Sequence, residues 1–216
     1  MLNKLAILLD KISTNIKSYN CKKSYVSFLR KYYLKDGKKY QKTIINYNTY
    51  EGTNISLAKK LLSSGEISQT DRIFDIGCGA GIFLSFLWVN GYKHLRGIEI
   101  NKELYDLSVD NLRSLGCNTN KVFNQDALQF YEYDDSDVFY LFNPFYDSDT
   151  YSKWLDIIQE SYLRVKRKIK IVILFPTISS ISAMNNCGWL KKKTRIYDEN
   201  QVCSRCVNYL IYESEE

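Results

Sequence analysis

The sequence predicts an α/β fold: a doubly wound, mostly parallel sheet of seven strands with an antiparallel C-terminal hairpin, preceded by a helical N-terminal cap. Three observations support this prediction. From residue 71 onward, short apolar runs alternate with helical patterns, as in repeated strand and helix units. A glycine-rich turn, Asp75-Ile-Gly-Cys-Gly-Ala-Gly81, follows the first apolar run and opens into an amphipathic helix. The last two runs are joined by a short polar link, so they must be antiparallel.

The N-terminal part contains helical patterns and no strand pattern. Residues 2–18 repeat leucine and isoleucine close to a period of 3.6, which predicts an amphipathic helix. Asn54 is a plausible N-cap for a second helix that ends at Gly65. We therefore expect residues 1–66 to form a helical cap or substrate region and residues 67–216 to form the core.

The core elements follow in a regular order. We predict strands at residues 72–77, 94–100, 120–125, 137–142, 168–175, 189–197 and 207–213, and helices at residues 81–90, 102–115, 150–165 and 178–187. The stretch between residues 126 and 137 is too short for a full helix. Because parallel strands end at the same edge of a sheet, the loops after the first four strands should lie together.

The spacing of the glycines separates two kinds of ligand. A dinucleotide fingerprint is G-x-G-x-x-G, but here the glycines fall at positions 77, 79 and 81, and position 82 is Ile. Asp75 is an awkward neighbour for a pyrophosphate and a suitable one for a cation. The loop therefore favours a cationic cofactor over NAD.

The D-x-G-C-G-x-G string resembles motif I of the class I S-adenosylmethionine-dependent methyltransferases. The resemblance covers about residues 50–216 and implies a Rossmann-like fold, methyl transfer and S-adenosyl-L-methionine as cofactor. It also implies that the loop holds the amino-acid end of the cofactor, through Asp75, Gly77, Cys78, Gly79 and Gly81.

Further cofactor residues are predicted at the neighbouring strand ends. Glu99, about 20 positions after the loop, is the candidate for the ribose hydroxyls. The resemblance implies adenine contacts at Asp126 and Ala127, and a segment over the methionine end that includes Tyr50 and Thr53. The alternatives are a solvated carboxylate for Glu99, a turn cap for Asp126, and turn or cap chemistry for Tyr50 and Thr53.

Asn143-Pro144-Phe145-Tyr146 follows the fourth strand, where the methyl acceptor should lie. It is similar to the (Asp/Asn)-Pro-Pro-(Tyr/Phe) motif of amino-directed methyltransferases, which implies an acceptor-binding role for all four residues and a cofactor contact for Asn143. Phe145 replaces the second proline, so either Phe145 or Tyr146 takes the aromatic role. Alternatively, Asn143 and Pro144 only end the strand and the aromatic side chains cover the cofactor.

An oxygen acceptor would need a base or a metal ion. His94 is predicted at the opposite end of the sheet, and Asp147 and Asp149 fit better as residues that open the next helix. The pair Cys203 and Cys206 lacks the second pair of a zinc site, so we expect no metal and six reduced thiols.

The net charge of +6 favours an anionic partner. Lysines and arginines alternate with tyrosines in the first 50 residues, a pattern that suits nucleic acid or a solvated helix face. We expect a nitrogen acceptor on RNA, DNA or protein. The alternatives are a small molecule or glycan, or an inactive adaptor with the same fold. The oligomeric state is left open.

The N-terminal apolar run, residues 5–9, is too short for a signal-peptide core, and no apolar run approaches the roughly 20 residues of a membrane span. These observations predict a cytoplasmic protein.

Overall fold

A computed structural model describes residues 52–197 and 207–215, which form one seven-stranded sheet with helices on both faces. The strands are β1 (Ile73–Ile76), β2 (Leu95–Ile98), β3 (Val122–Phe123), β4 (Val138–Leu141), β5 (Lys170–Leu174), β6 (Leu190–Tyr197) and β7 (Val207–Ser214). The helices are α1 (Ile55–Ser63), α2 (Ile82–Val89), α3 (Lys102–Ser114), α4 (Ser148–Arg164) and α5 (Ile178–Asn186).

The strand order is β3-β2-β1-β4-β5-β7-β6. Strands β1 to β5 are parallel, whereas β7 runs antiparallel to both β5 and β6. This arrangement confirms the predicted doubly wound, Rossmann-like sheet with a reversed C-terminal hairpin. The order reverses between β1 and β4, which is the position where open α/β sheets bind their ligands.

The sheet is buried on both faces, as a parallel sheet requires. Helices α1, α2 and α3 contribute to the hydrophobic core on one face, and α4 and α5 contribute to the core on the other face. All residues of β1, β2 and β4 are buried as a result.

Helix α2 departs from the amphipathic pattern predicted for it. Seven of its eight residues are buried, and only Trp88 is partly exposed. The reason is that α1 and α3 both pack against α2, so the face turned away from the sheet is covered as well.

Most elements begin or end one or two residues from the predicted positions, and two of these differences have a clear local cause. Strand β3 has only two residues, because just beyond it the amide of Asn124 donates to the backbone carbonyls of Glu99 (2.9 Å) and Ile100 (3.2 Å). Helix α4 begins at Ser148, because Asp147 caps it by accepting the backbone N–H of Thr150 at 2.8 Å. The prediction that Asp147 opens this helix is therefore confirmed.

Several predictions fall outside the described residues. They concern the helix at residues 2–18, the basic and tyrosine-rich segment, Tyr50, Cys21, and the pair Cys203 and Cys206. The proposed boundary between cap and core at residue 66 stays a prediction. In residues 52–197 and 207–215, no helix is long and apolar enough to span a membrane.

Candidate active site

The glycine loop between β1 and α2 adopts a backbone conformation that side chains disfavour. The φ angles of Gly77, Gly79 and Gly81 are 73°, 53° and 73°. A Cβ atom on Gly77 would lie 3.0 Å from the Cβ atom of Pro144, at the end of β4. The turn therefore favours glycine at all three positions, and at Gly77 the close approach of the loop after β4 requires it as well.

Asp75 is a carboxylate at the end of β1 with almost no access to water. Its residue is 3% exposed, and burial together with the nearby Glu99 raises its pKa well above the ordinary value. Within the described part of the chain, no group donates a hydrogen bond to this carboxylate. Burying a charge without a partner is costly, so a cation beside Asp75 would be strongly favoured.

Glu99 is a second buried carboxylate, at the end of β2. Its Oε2 accepts the backbone N–H of Gly79 at 2.9 Å, and its Oε1 accepts the N–H of Asn101 at 2.8 Å. Burial raises the pKa of Glu99, and these backbone hydrogen bonds oppose the shift. The two bonds fix the carboxylate against the glycine loop, so Asp75 and Glu99 form one acidic site at adjacent strand ends.

Thr53 lies beside this site and closes it from the segment before α1. Its Oγ1 is 3.1 Å from the hydroxyl of Tyr140, and the ring of Tyr140 stacks on Phe83 with centroids 3.7 Å apart. A small cavity in this region is lined by Gly52, Thr53, Asp75, Gly77, Tyr140 and Phe142, among others. The structure thus brings Thr53 and the Asp75 loop together.

The loop after β3 is held by hydrogen bonds between its own residues. Oδ1 of Asp126 accepts the backbone N–H of Leu128 at 2.9 Å, so the residue stabilises a turn. Ala127 is buried, and its carbonyl accepts the hydroxyl of Tyr133. Both residues follow β3 at the carboxyl edge of the sheet, but their predicted contact with adenine stays a prediction.

The four residues after β4 have different surroundings. Asn143 has a φ of 46°, and its Nδ2 donates to the carbonyl of Phe175 at 3.0 Å. Phe145 is 1% exposed and packs edge-on against Tyr151, with centroids 5.1 Å apart. Tyr146, by contrast, is 69% exposed. Of the two candidate aromatic residues, only Tyr146 is accessible to an acceptor.

Sequence reasoning missed several residues that shape the site. Asn124 ties the end of β2 to β3, Asn111 donates to the carbonyl of Ala80 in the glycine loop at 2.9 Å, and Tyr140 pairs with Thr53. Each contact joins residues at least 25 positions apart, so no local pattern could have identified it. Cys78 is buried, and burial raises the pKa of its thiol, which fits a packing role.

Comparison with known proteins agrees with this architecture. No protein-family model matches the sequence, and no curated protein matches it. Solved structures do match. The putative methyltransferase yhhF from Escherichia coli has a TM-score of 0.57 at 13% identity, over 77% of this chain and 90% of that one.

Two further structures have a bound cofactor or its product. Magnesium protoporphyrin IX methyltransferase from Synechocystis, solved with bound S-adenosylmethionine, has a TM-score of 0.53 at 14% identity, over 74% of this chain and 77% of that one. An RNA methyltransferase from Salinibacter ruber, in complex with S-adenosyl-L-homocysteine, has a TM-score of 0.53 at 17% identity, over 76% of this chain and 92% of that one. The chain has the fold of the class I S-adenosylmethionine-dependent methyltransferases.

Proposed function

We propose that the protein is an S-adenosylmethionine-dependent methyltransferase. The observation that supports this most is the pair of buried carboxylates, Asp75 and Glu99, beside a loop of positive-φ glycines. A cofactor with an ammonium, a sulfonium and ribose hydroxyls fits this set of acceptors. A pyrophosphate would instead meet two carboxylates.

Each residue of the site has a proposed role. Asp75 holds the ammonium, and the backbone from Gly77 through Cys78 and Gly79 to Gly81 gives close approach. Glu99, already oriented by two N–H groups, accepts the ribose hydroxyls.

The outer contacts are proposed as follows. Asp126 and Ala127 flank the adenine, and Thr53, with Tyr50 before it in the chain, covers the methionine end. When bound, the cofactor supplies an activated methyl group. Because methyl transfer is a displacement, the protein mainly has to align the acceptor and exclude water.

We further propose that the acceptor atom is a nitrogen. The side chain of Asn143 is oriented by its bond to the Phe175 carbonyl, and an amide oxygen is a suitable acceptor for an amino group. The chain's single histidine, His94, precedes β2 at the opposite edge of the sheet. Asp147 is engaged as a helix cap. A nitrogen acceptor requires less acid–base assistance than a hydroxyl.

The acceptor is proposed to belong to RNA, DNA or protein, which the net charge of +6 favours. The RNA methyltransferase from Salinibacter ruber is a precedent for this fold with such a substrate. The porphyrin enzyme from Synechocystis is a precedent for the alternative, a small-molecule acceptor. A second alternative is an adaptor of the same fold that binds nucleic acid or protein and does not catalyse methyl transfer.

The test is to incubate methyl-labelled cofactor with separated RNA, DNA, protein and small-molecule fractions of the host. We expect label in a macromolecular fraction. The rate of methyl transfer should fall at least about tenfold in Asn143→Ala and in Tyr146→Ala, and Tyr146→Ala should retain cofactor binding. Tyr131→Ala is the matched control, since Tyr131 is also exposed (58%) but lies away from the loop after β4.

Label only in small molecules would refute a macromolecular acceptor. Cofactor binding without transfer to any fraction would favour the adaptor.

A further inference from the structure

A second cavity lies at the opposite edge of the sheet from the glycine loop. It has a volume of about 300 Å³ and is formed at the amino ends of three strands. Arg72 immediately precedes β1, His94 precedes β2, and Lys121 precedes β3. We call this cavity the amino-edge groove. The length of β1, about 13 Å, separates it from the cofactor site.

Backbone hydrogen bonds hold the three strand ends side by side. The N–H of Ile73 donates to the carbonyl of His94 at 2.8 Å, and the N–H of Gly97 donates to the carbonyl of Lys121 at 3.1 Å. The groove is therefore built on the rigid part of the sheet, which favours a preformed binding site.

The groove is lined by more positive than negative side chains. Among the described lining residues, the cations are Arg72, Lys93, Arg96 and Lys121, and the one carboxylate is Asp135. In the described residues, Lys93 and Lys121 make no ion pair, and both are exposed. Lys93 Nζ lies 3.6 Å from the ring centre of Trp88. The two lysines therefore contribute positive charge that no carboxylate among the described residues pairs with.

Arg96 is the unusual residue of this groove, because it is a cation inside a buried strand. It is 6% exposed, and its guanidinium carbon lies 5.3 Å and 5.4 Å from the ring centres of Phe74 and Phe123. Among the described residues it has one ion pair, a loose one: Nη1 is 3.7 Å from Oδ2 of Asp135, whose side chain is 73% exposed. Its Nε is buried and has no hydrogen-bond partner in the part of the chain that the structure describes.

Arg72 and Arg167 show which hydrogen-bond partners this protein gives to an arginine with a structural role. Arg72 makes a bidentate pair with Asp137 at 2.8 Å and 2.6 Å. Arg167 donates to the backbone carbonyls of Ser136 at 2.7 Å and Tyr133 at 3.0 Å. Within residues 52–197 and 207–215, Arg96 has neither a bidentate carboxylate nor a backbone carbonyl as partner. Incomplete pairing of a buried charge is costly, so an anion in the groove would compensate for it.

We propose that the amino-edge groove binds the phosphate group of a phosphate ester, with Arg96 and Lys121 as its main ligands. Arginine and lysine are the side chains that bind phosphate most strongly. Leu95 and Trp88 provide an apolar wall for the organic part. The volume is at the lower end of small-molecule pockets, which fits a mononucleotide or one nucleotide of a strand. The site is independent of the proposed methyl transfer.

The test is a calorimetric titration with uridine 5′-monophosphate, with uridine as the control without phosphate, and with a single-stranded oligodeoxythymidylate. Excess S-adenosylhomocysteine keeps the probes out of the cofactor site. We expect a phosphate-bearing probe to bind and uridine not to bind. Lys121→Gln should weaken binding about tenfold, the effect of losing one charge-assisted contact. Lys166→Gln, an exposed lysine that does not line the groove, should leave binding unchanged.

The variant Asp135→Asn distinguishes a phosphate site from a merely structural Arg96–Asp135 pair. Removing the competing carboxylate should strengthen phosphate binding severalfold, since the local charge becomes more positive. Arg96→Gln should abolish phosphate binding. If Arg96→Gln does not fold, the exposed variant Lys121→Gln still tests the site.

Binding of the mononucleotide would assign the site to a small phosphate ester, and binding of the oligonucleotide alone would assign it to a strand. The proposal would be overturned if no probe binds. It would also be overturned if the affinity for the probe is unchanged in both Lys121→Gln and Asp135→Asn.

Discussion

At the residue scale, Asp75 and Glu99 determine which ligands the carboxyl edge of the sheet can accept. Glu99 is held by two backbone N–H groups, whereas Asp75 is buried without a donor from the described residues. The difference indicates that Glu99 is preorganised, while Asp75 gains its partner only when a cation binds. Its raised pKa is the measurable consequence of this arrangement.

This pKa gives a pH-dependent contribution to stability. Above the ordinary pKa of about 3.8, the unfolded chain releases the proton of Asp75 while the folded protein still binds it. The free energy of unfolding of the cofactor-free protein therefore falls as pH rises from about 4 through the raised pKa. Asp75→Asn should remove this contribution and reduce the slope. Denaturant unfolding at a series of pH values measures it, and identical slopes in both proteins would contradict the assignment.

Gly77 permits a second prediction, because Gly65 provides a control with the same backbone angle. Both have a φ of 73°, but a Cβ on Gly65 would meet nothing within 4 Å, whereas on Gly77 it would meet Pro144. Gly65→Ala should cost about 1–2 kcal/mol through the left-handed backbone alone. Gly77→Ala should cost more, and it should also weaken cofactor binding at least about tenfold, because the loop after β4 must move. Equal effects of the two variants would refute a role for this close approach.

At the element scale, the connection between Thr53 and Tyr140 joins the segment before α1 to the central strand β4. Thr53→Val and Tyr140→Phe each remove the hydrogen bond between them. A double-mutant cycle should give a coupling energy of about 1 kcal/mol in the free energy of unfolding. If Thr53 covers the cofactor as proposed, the cofactor should add to this coupling. A coupling of zero would mean that this contact does not hold the segment on the sheet.

The sequence patterns were sufficient for the order and type of the described elements, since the apolar runs that alternate with helices become β1 to β5 and their helices. The patterns did not predict where a strand ends when a side chain, instead of the next strand's backbone, bonds to the backbone carbonyls. Asn124 ends β3 early by bonding to the carbonyls that follow β2. Likewise, the burial of α2 on all sides depends on α1 and α3, which no pattern within α2 can reveal.

At the scale of the whole molecule, the parallel sheet explains why the site could be predicted in outline. The strand ends at Asp75 and Glu99 are adjacent because β1 and β2 pair in parallel, with Asp75 opposite Gly97. The distinction between Phe145 and Tyr146 could not be predicted. Phe145 is buried by α4, through Tyr151 and Trp154, and this depends on how the helix packs on the sheet.

The same sheet gives the molecule two edges of opposite character. The carboxyl edge has the buried carboxylates Asp75 and Glu99, and the amino edge has Arg96, whose guanidinium is only partly paired by the described residues. We therefore expect cationic ligands at one edge and anionic ligands at the other. Because a rigid strand separates the two edges, variants in one should leave binding at the other unchanged.

The central claim, a cation-binding methyl-donor site at Asp75 and Glu99, is tested most directly by calorimetric titration with S-adenosylmethionine. We predict binding of one cofactor per chain, no binding of NAD, and a loss of affinity of at least about tenfold in Asp75→Asn and in Glu99→Gln. Asp110→Asn, which changes an exposed carboxylate on α3, should bind as the unaltered protein does. Absence of binding to the unaltered protein, or undiminished affinity in the double variant Asp75→Asn with Glu99→Gln, would contradict the account.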